Sequence, residues 1–230
     1  MPVSIEPLAP EQALAYWKDK AAVSSGEFRR MDGKARSRAF TVAGMDQVNQ
    51  VEKVMGAVGQ AMADGTSLGK FKQEIAPLLT EQIGLSPKAA RRRAELILRT
   101  NVQSAYMAGR YAQMQEAAQA RPYWRYVAVG DSRTRLDHAA LHGTVRRHDD
   151  AFWSNFYPPN GFACRCTVQT LSERQVKAKG IEVGKGDPGR LVYTDPKTGM
   201  ERWITPMRDK GWSGNVGKDL LAGLAPSTDG

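Results

Sequence analysis

Long apolar runs are missing from this chain of 230 residues. No stretch approaches the roughly 18 consecutive apolar residues of a membrane-spanning helix, so no membrane partner is expected. Cysteine is nearly missing too: there are two, Cys164 and Cys166, one residue apart. Two so close do not make a disulfide framework. They point to a reducing compartment, a metal site or simple packing. Histidine is as scarce, at three. The start, MPVSIEPLAPEQ, has acidic residues and prolines where a secretory signal carries a basic segment and an apolar core. No secretory signal is therefore expected. The P-loop is absent, and the bare spacings Gly-x-Ser-x-Gly, at Gly65 to Gly69, and Gly-x-Gly-x-x-Gly, at Gly184 to Gly189, do not fall between a predicted strand and a predicted helix. The local signatures of a serine-hydrolase elbow, a phosphate-cradling loop and a dinucleotide site, which need that strand-to-helix setting, are therefore missing.

Positive charge is in excess, at a formal +9. It gathers at Arg29, Arg30, Lys34, Arg36 and Arg38, at Lys88 and Arg91 to Arg93, and at Arg121, Arg125, Arg133, Arg135, Arg146 and Arg147. Such a balance favours weak, salt-sensitive contact with polyanions. The competing reading is that each cluster is a solvated helix face. With 41% hydrophobic residues the chain has material for a core, and its length suits one large domain or two small ones.

The periodicity predicts helices first. Pro10-Glu11 opens a short one with Ala13, Ala15, Tyr16 and Trp17 on its apolar face. Residues 24–33 read as irregular, and Arg36 to Phe40 as a helical turn. From Val42, the recurrence of Val42, Met45, Val48, Val51, Met55, Val58 and Met62 predicts a helix that Gly65 stops. Ser67 then caps a second, with Leu68, Phe71, Ile75, Leu78 and Leu79 as its stripe and Pro77 as a kink or early end. The two should form a hairpin. Ser86-Pro87 opens a third helix that, if continuous to Arg121, spans about 50 Å. Its small face is Ala94, Ile97, Ala105, Ala108 and Ala112. Asn101 interrupts this pattern and is a candidate for bonding a neighbouring loop. Strands are predicted at Tyr123 to Val129 and Cys164 to Leu171, with a helix capped by Asp131 or Ser132 between them, Arg133 to His142. Thr144 to Arg146 reads as a brief strand, Ser172 to Lys179 as a short helix, and DPKTG, Asp195 to Gly199, as a hairpin turn. From Gly211 the chain reads as a polar, mobile end. The expected fold is α+β: a helical N-terminal part with a long central helix packed on a small antiparallel sheet.

All three histidines and both cysteines fall between Tyr123 and Leu171. His138 and His142 are four apart and share a helix face; Cys164 and Cys166 are two apart and share a strand face. If the faces meet, they make a closed His2Cys2 zinc set, structural because no position is left open. A flat strand, however, holds its two sulfurs rather far apart. The competing reading makes the cysteines small core residues and the histidines hydrogen-bond partners. Asp131, Arg133, Arg135 and Asp137 suggest a mutual ion-pair network. Asp149 and Asp150 beside His148 suggest caps and turns before a magnesium or general-base site. No catalytic residue is assigned. The rival reading is a metal-dependent nuclease or other hydrolase built on His138, His142, His148 and Asp149 with the cysteines.

The run DSRTRLDHAALHG, followed by DDAFWSNFYPPNGFACRC, resembles the phage head-morphogenesis family typified by Mu protein F-like minor head proteins. The matching residues are Asp131, Arg133, Thr134, Arg135, His138, His142, Gly143, Trp153, Pro158, Pro159, Asn160, Gly161, Cys164, Arg165 and Cys166. Upstream, RTNVQSAYMAGRYAQM also fits, with Arg99, Thr100, Asn101, Ala105, Gly109 and Arg110 in place, as does the lead-in Asp64 to Ile75. Many members carry Arg-Thr-Glu where this chain has Arg99-Thr100-Asn101, which puts any role of that carboxylate in question here. The resemblance covers residues 36 to 176, and the tail segments PKTGMERW and DKGW are similar to those of closer Mu-type members. It implies an arm with short helices at 1–41, a head-morphogenesis domain at 42–176 and a loop-rich tail with a β-hairpin at 177–230. It further implies a minor, non-enzymatic head protein of a phage or prophage. Such a protein would sit inside the procapsid near the portal, serve head assembly and DNA packaging or delivery, contact portal and other head proteins, and pass through the host cytoplasm during assembly. Housed with DNA, it would touch the backbone weakly and without sequence preference, with Lys88, Arg91, Arg92 and Arg93 as candidate contacts.

Overall fold

A computed structural model describes residues 11–210, 212 and 214–224; the arm expected ahead of residue 11 lies outside them. The chain divides into two compact units, Met1–Gly109 with Gly223–Gly230, and Arg110–Ala222.

The first unit is helical. Helix α1, Glu11–Lys18, buries Ala13, Tyr16 and Trp17, while Ala15 is exposed. The next stretch is more regular than its composition suggests. Strand β1, Ala21–Ala22, leads into α2, Ser25–Arg30, and α3, Gly33–Ser37, then β2, Ala39–Phe40. Ser24 and Asp32 cap the two helices by accepting from the Glu27 and Ala35 N–H groups. β1 and β2 pair in parallel.

Helix α4, Val48–Asp64, begins six residues after the apolar pattern does. Val42 and Met45 are buried, at 2% and 1% exposure, but in the turn before the helix. Val48, its first residue, is exposed. The true inward stripe is Val51, Val54, Val58 and Ala61. Gly65 ends it in the left-handed region at φ 66°, where glycine carries no Cβ penalty. Helix α5, Leu68–Ile83, is capped by Ser67 and buries Phe71, Ile75, Ala76 and Leu79. Pro77 does not end it, because Pro77 faces solvent and the helix loses only one internal hydrogen bond there. Helix α6, Pro87–Glu116, is continuous, about 45 Å at 1.5 Å per residue. α4, α5 and the first turns of α6 close one core around Val54, Val58, Phe71, Leu79, Ala90 and Ala94. Full burial of a Phe or Leu side chain contributes roughly 1.5–3 kcal/mol. Trp17 joins this core, donating from Nε1 to the Met55 carbonyl at 3.2 Å. Gly59 makes room for it, since a Cβ there would stand 2.9 Å from the same nitrogen.

The second unit holds the sheet. Strand β3, Tyr123–Val127, alternates in burial, with Trp124 and Tyr126 inward. It is followed by α7, Leu136–Ala140, β4, Val145–Arg147, α8, Phe152–Phe156, β5, Thr167–Leu171, and α9, Glu173–Ala178. The antiparallel sheet has the order β4-β3-β5. Its inner face meets an aromatic cluster in which Trp124 and Trp153 cross at 5.5 Å and Tyr111, from α6, meets Trp124 at 5.4 Å. Edge-to-face contacts of this kind favour a defined packing beyond area burial. The outer edge of β5 is closed by arginines: Arg110 donates to the Val168 carbonyl and Arg121 to that of Thr170. Those carbonyls would otherwise be open to strand addition. α9 carries a full capping box between Ser172 and Gln175. β6, Leu191–Thr194, and β7, Glu201–Ile204, pair around the DPKTG turn, whose Asp195 carboxylate accepts from the Lys197 and Thr198 N–H groups. The polar end is not all loose: Val216–Leu224 is a helix, α10, and Asn215 before it is 3% exposed. Residues 211, 213 and 225–230 lie outside the described set. The fold is thus α+β, with the last turns of α6 against the sheet.

Candidate metal centre

The segment after β3 turns sharply on Gly130, at φ 78°. Asp131 then holds the turn rather than capping a helix. Its carboxylate accepts from the Arg133 N–H and the Thr134 hydroxyl, at 3.1 and 3.2 Å. It also takes both ends of the Arg165 guanidinium, at 2.8 and 2.6 Å. Arg165 lies just before β5, so this bidentate pair ties the turn after β3 to the turn before β5. The Arg165 guanidinium holds the Asp131 carboxyl well below the usual carboxylate range, helped by the Arg133 and Thr134 bonds. A depressed folded pKa makes this contribution present above the unfolded value near 3.8 and lost as pH falls toward the folded one. Arg165→Ala should return the Asp131 titration upward toward that value, read by carboxyl NMR; an unmoved titration would refute the pairing.

The expected mutual network among Asp131, Arg133, Arg135 and Asp137 is not what forms. Arg135 leaves the group and pairs with Asp209 at 2.7 Å, also donating to the Phe162 carbonyl. Asp137 accepts only from the His138 N–H among the described bonds. Arg133 is exposed, 3.5 Å from Asp131. Asp209 sits in the tail, where no local pattern announces it.

Helix α7 is a single turn, and its brevity decides the histidines. His138 lies inside it and is 2% exposed. The helix stops at Ala140 and Gly143 reverses the chain at φ 85°, so His142 does not share its face. His142 is exposed instead, its Nδ1 accepting from the Ala128 N–H at 3.1 Å. The cysteines are not on a strand either. β5 begins at Thr167, and Cys164 and Cys166 occupy the irregular segment before it, entered through Ala163 at φ 51°. Released from a flat strand, both sulfurs reach His138 Nδ1, each at 3.6 Å. The four-residue set expected from spacing is therefore three residues. The Cys164 thiol is held below the ordinary range by the Cys166 thiol beside it and by His138, whereas the Cys166 thiol is pushed up by Cys164 and by burial. The Tyr126 hydroxyl, which also accepts from Asn160 Nδ2 at 3.1 Å, bonds Cys166 from behind. His138, Cys164 and Cys166 line one small cavity of about 20 Å³ together with Arg133, Thr134 and Arg135.

The family model for Phage Mu protein F like protein matches residues 52–169, just over half of the chain. This chain belongs to that family. It is 39% identical over 209 residues to the Mu-like prophage FluMu F protein of Haemophilus influenzae (strain ATCC 51907 / DSM 11121 / KW20 / Rd), covering 80% of this chain and 50% of the relative. It is 34% identical over 239 residues to the putative capsid assembly protein F of Escherichia phage Mu, covering 91% and 54%. The chain thus spans about half the length of the curated relatives it matches. No solved structure matches it.

The remaining residues of the Mu F-like motif are framework. Trp153 donates from Nε1 to the Arg147 carbonyl at 2.8 Å inside the aromatic cluster. Pro158 and Pro159, joined by a cis peptide, are buried. Asn160 Nδ2 bonds Tyr126 and the Phe156 carbonyl. Gly161 must lack a side chain, because a Cβ would stand 2.0 Å from Asp209 Oδ2. Upstream, Arg99 is exposed and pairs with Glu95. Asn101 bonds the Ile97 carbonyl of its own helix at 2.8 Å, not a neighbouring loop. Of the residues of the hydrolase reading, His138 and the cysteines converge, whereas His142, His148 and Asp149 do not join them. His142 sits near Ala128 and His148 near Pro122, at opposite ends of β3, about 20 Å apart along an extended strand. His148 Nδ1 meets Gln115 Oε1, Asp149 pairs with Arg147, and Asp150 caps Phe152 and Gly186. Tyr126 and Asp209, which brace the cysteine–histidine cluster, carry no signal in sequence beyond the inward phase of β3 for Tyr126.

Proposed function

We propose that this Mu F-like chain is a minor component of a phage or prophage head, acting in procapsid assembly on the inner side of the shell near the portal. Its partners are the portal and other head proteins, and it meets packaged DNA through backbone contact alone. The observation that carries the assembly role is membership of the family together with the likeness to the putative capsid assembly protein F of phage Mu. The use made of the motif agrees with that role: Asp131 and Arg165 tie two turns together, and Trp153 and Asn160 brace the aromatic side of the same unit. Purified procapsids and mature particles should both contain the protein, and lysates lacking it should accumulate aberrant or empty heads. Its absence from procapsids, with normal heads formed without it, would overturn the role.

The DNA contact rests on the start of α6. Lys88, Arg91 and Arg92 are exposed and Arg93 is half-buried. The first turn holds no acidic residue, and none of the four joins an ion pair among the described residues. Cations at a helix N-terminus oppose the helix dipole, so the cluster costs the fold something and is more useful to a phosphate than to the protein. The basic cluster around Arg36 differs, since Arg36 is occupied by the Phe28 and Arg29 carbonyls and Arg38 lies against Asp19. Replacing Arg91, Arg92 and Arg93 by alanine should weaken duplex binding equally for all sequences. It should also flatten the plot of log affinity against log salt by about 0.9 for each phosphate no longer neutralised. A gel-shift titration with no binding at low salt by the unaltered protein would remove DNA from its partners.

A further inference from the structure

We propose that His138 Nδ1, Cys164 Sγ and Cys166 Sγ bind one zinc ion whose fourth position faces the small cavity and is held by solvent. The three ligand atoms lie within 4.8 Å of one another and are the only such group of His, Cys, Asp or Glu atoms among the described residues. Their spacing is that of a tetrahedral ion. With Zn–S near 2.3 Å and Zn–N near 2.0–2.1 Å, the tetrahedral angle separates sulfur from nitrogen by about 3.6 Å. Both sulfurs stand at 3.6 Å from the same nitrogen. A cysteine nucleophile with a histidine base requires one such contact, and nothing in that chemistry makes the second equal to the first. Ligation makes them equal.

The burial points the same way. The three residues are 2–4% exposed, yet the ring gains little from hydrogen bonds: among the described residues Nδ1 meets only sulfur and Nε2 has no partner. Two thiolates and a neutral imidazole around a divalent ion make a neutral cluster, which is buried without an unpaired charge. The donor set is soft to borderline, the choice of zinc over magnesium or calcium. Arg135 completes the setting. Its Nε is buried without a hydrogen-bond partner among the described residues, and Arg135 lines the cavity beside the sulfurs, where an N–H donor suits a thiolate or a metal-bound water. The cavity, about 20 Å³, accommodates about one water. The ion fastens α7 to the turn before β5, beside the Asp131–Arg165 pair.

The test uses the full chain with a tag free of histidine, purified without added metal. Elemental analysis should find about one zinc per chain, since a Cys2His site holds the metal through purification. Zinc-free protein that also takes up none in equilibrium dialysis overturns the site. His138→Gln and Cys164→Ser should lose the ion while His142→Gln keeps it; loss in His142→Gln restores the four-residue set and overturns this one. Cobalt exchanged into the unaltered chain should show thiolate charge-transfer bands and intense four-coordinate visible bands. Those visible bands should shift when azide is added. Bands indifferent to azide would mean a closed fourth position and overturn the solvent-held one. The cobalt experiment needs no variant, so it stands even if a substitution prevents folding.

Discussion

Trp153→Ala should be the most damaging single truncation in the second unit, lowering unfolding free energy by about 3–5 kcal/mol. The side chain is 0% exposed and its ring meets Phe152 at 4.8 Å, Trp124 at 5.5 Å and Tyr157 at 6.4 Å. Removing it opens a cavity that three large, rotamer-locked rings cannot collapse into. It also strands the Arg147 carbonyl, which accepts from the indole at 2.8 Å. Trp153→Phe separates the two effects. It keeps most of the ring volume and loses the hydrogen bond, so it should cost about 1–3 kcal/mol. Trp203→Ala, at a site 64% exposed, should stay within about 0.5 kcal/mol of the unaltered chain. Chemical unfolding followed by circular dichroism ranks the three. If Trp153→Ala unfolds at the same denaturant concentration as Trp203→Ala, the aromatic cluster is not the core of this unit.

The legible parts of the fold share one property: their signal is local. The stripes of α4 and α5, the Ser67 cap and the alternation in β3 each depend on residues a few positions apart. Where the pattern misleads, a tertiary contact has taken over. Val42 and Met45 fit the helical period of α4 but are buried from a turn, which periodicity cannot tell from a helix. α2 escapes a reading by periodicity although Ser24 and Glu27 have the spacing of a capping box, because SGEFRR has no apolar stripe. The metal cluster shows both sides. That His138, Cys164 and Cys166 belong together is readable from scarcity and from the motif. That His142 does not is hidden in the length of α7, which one turn of helix and Gly143 decide. The turn through Ala163 that brings both sulfurs to one nitrogen has no sequence signature at all.

Helix α10 is hidden for a further reason, and Gly217→Ala tests it. The segment looks polar and glycine-rich, yet Asn215 anchors it twice over. Its Oδ1 accepts from the Gly217 and Lys218 N–H groups, at 2.8 and 3.2 Å, capping the helix, and its Nδ2 donates to the Trp153 carbonyl at 2.8 Å. Gly217 then lies directly on Tyr111: an added Cβ would stand 2.1 Å from both Cβ and Cγ of that residue. Those atoms are the root of the side chain, fixed by the α6 backbone. The Tyr111 side chain is buried, 3% exposed, and its ring is held against Trp124 and Tyr157, so it has nowhere to swing. Alanine gains about 1 kcal/mol of helix propensity over glycine, but overpacking of this kind costs about 1–3 kcal/mol. At 2.1 Å the steric cost wins, and Gly217→Ala should destabilise the chain. Gly56→Ala provides the opposite sign. Gly56 is an exposed position inside α4 with nothing within 4 Å of the added carbon, so the same substitution should stabilise by about 0.5–1 kcal/mol. Two glycines in helices then respond in opposite directions, and the difference lies wholly in what the helix touches. If both substitutions stabilise equally in thermal unfolding, α10 does not dock on Tyr111.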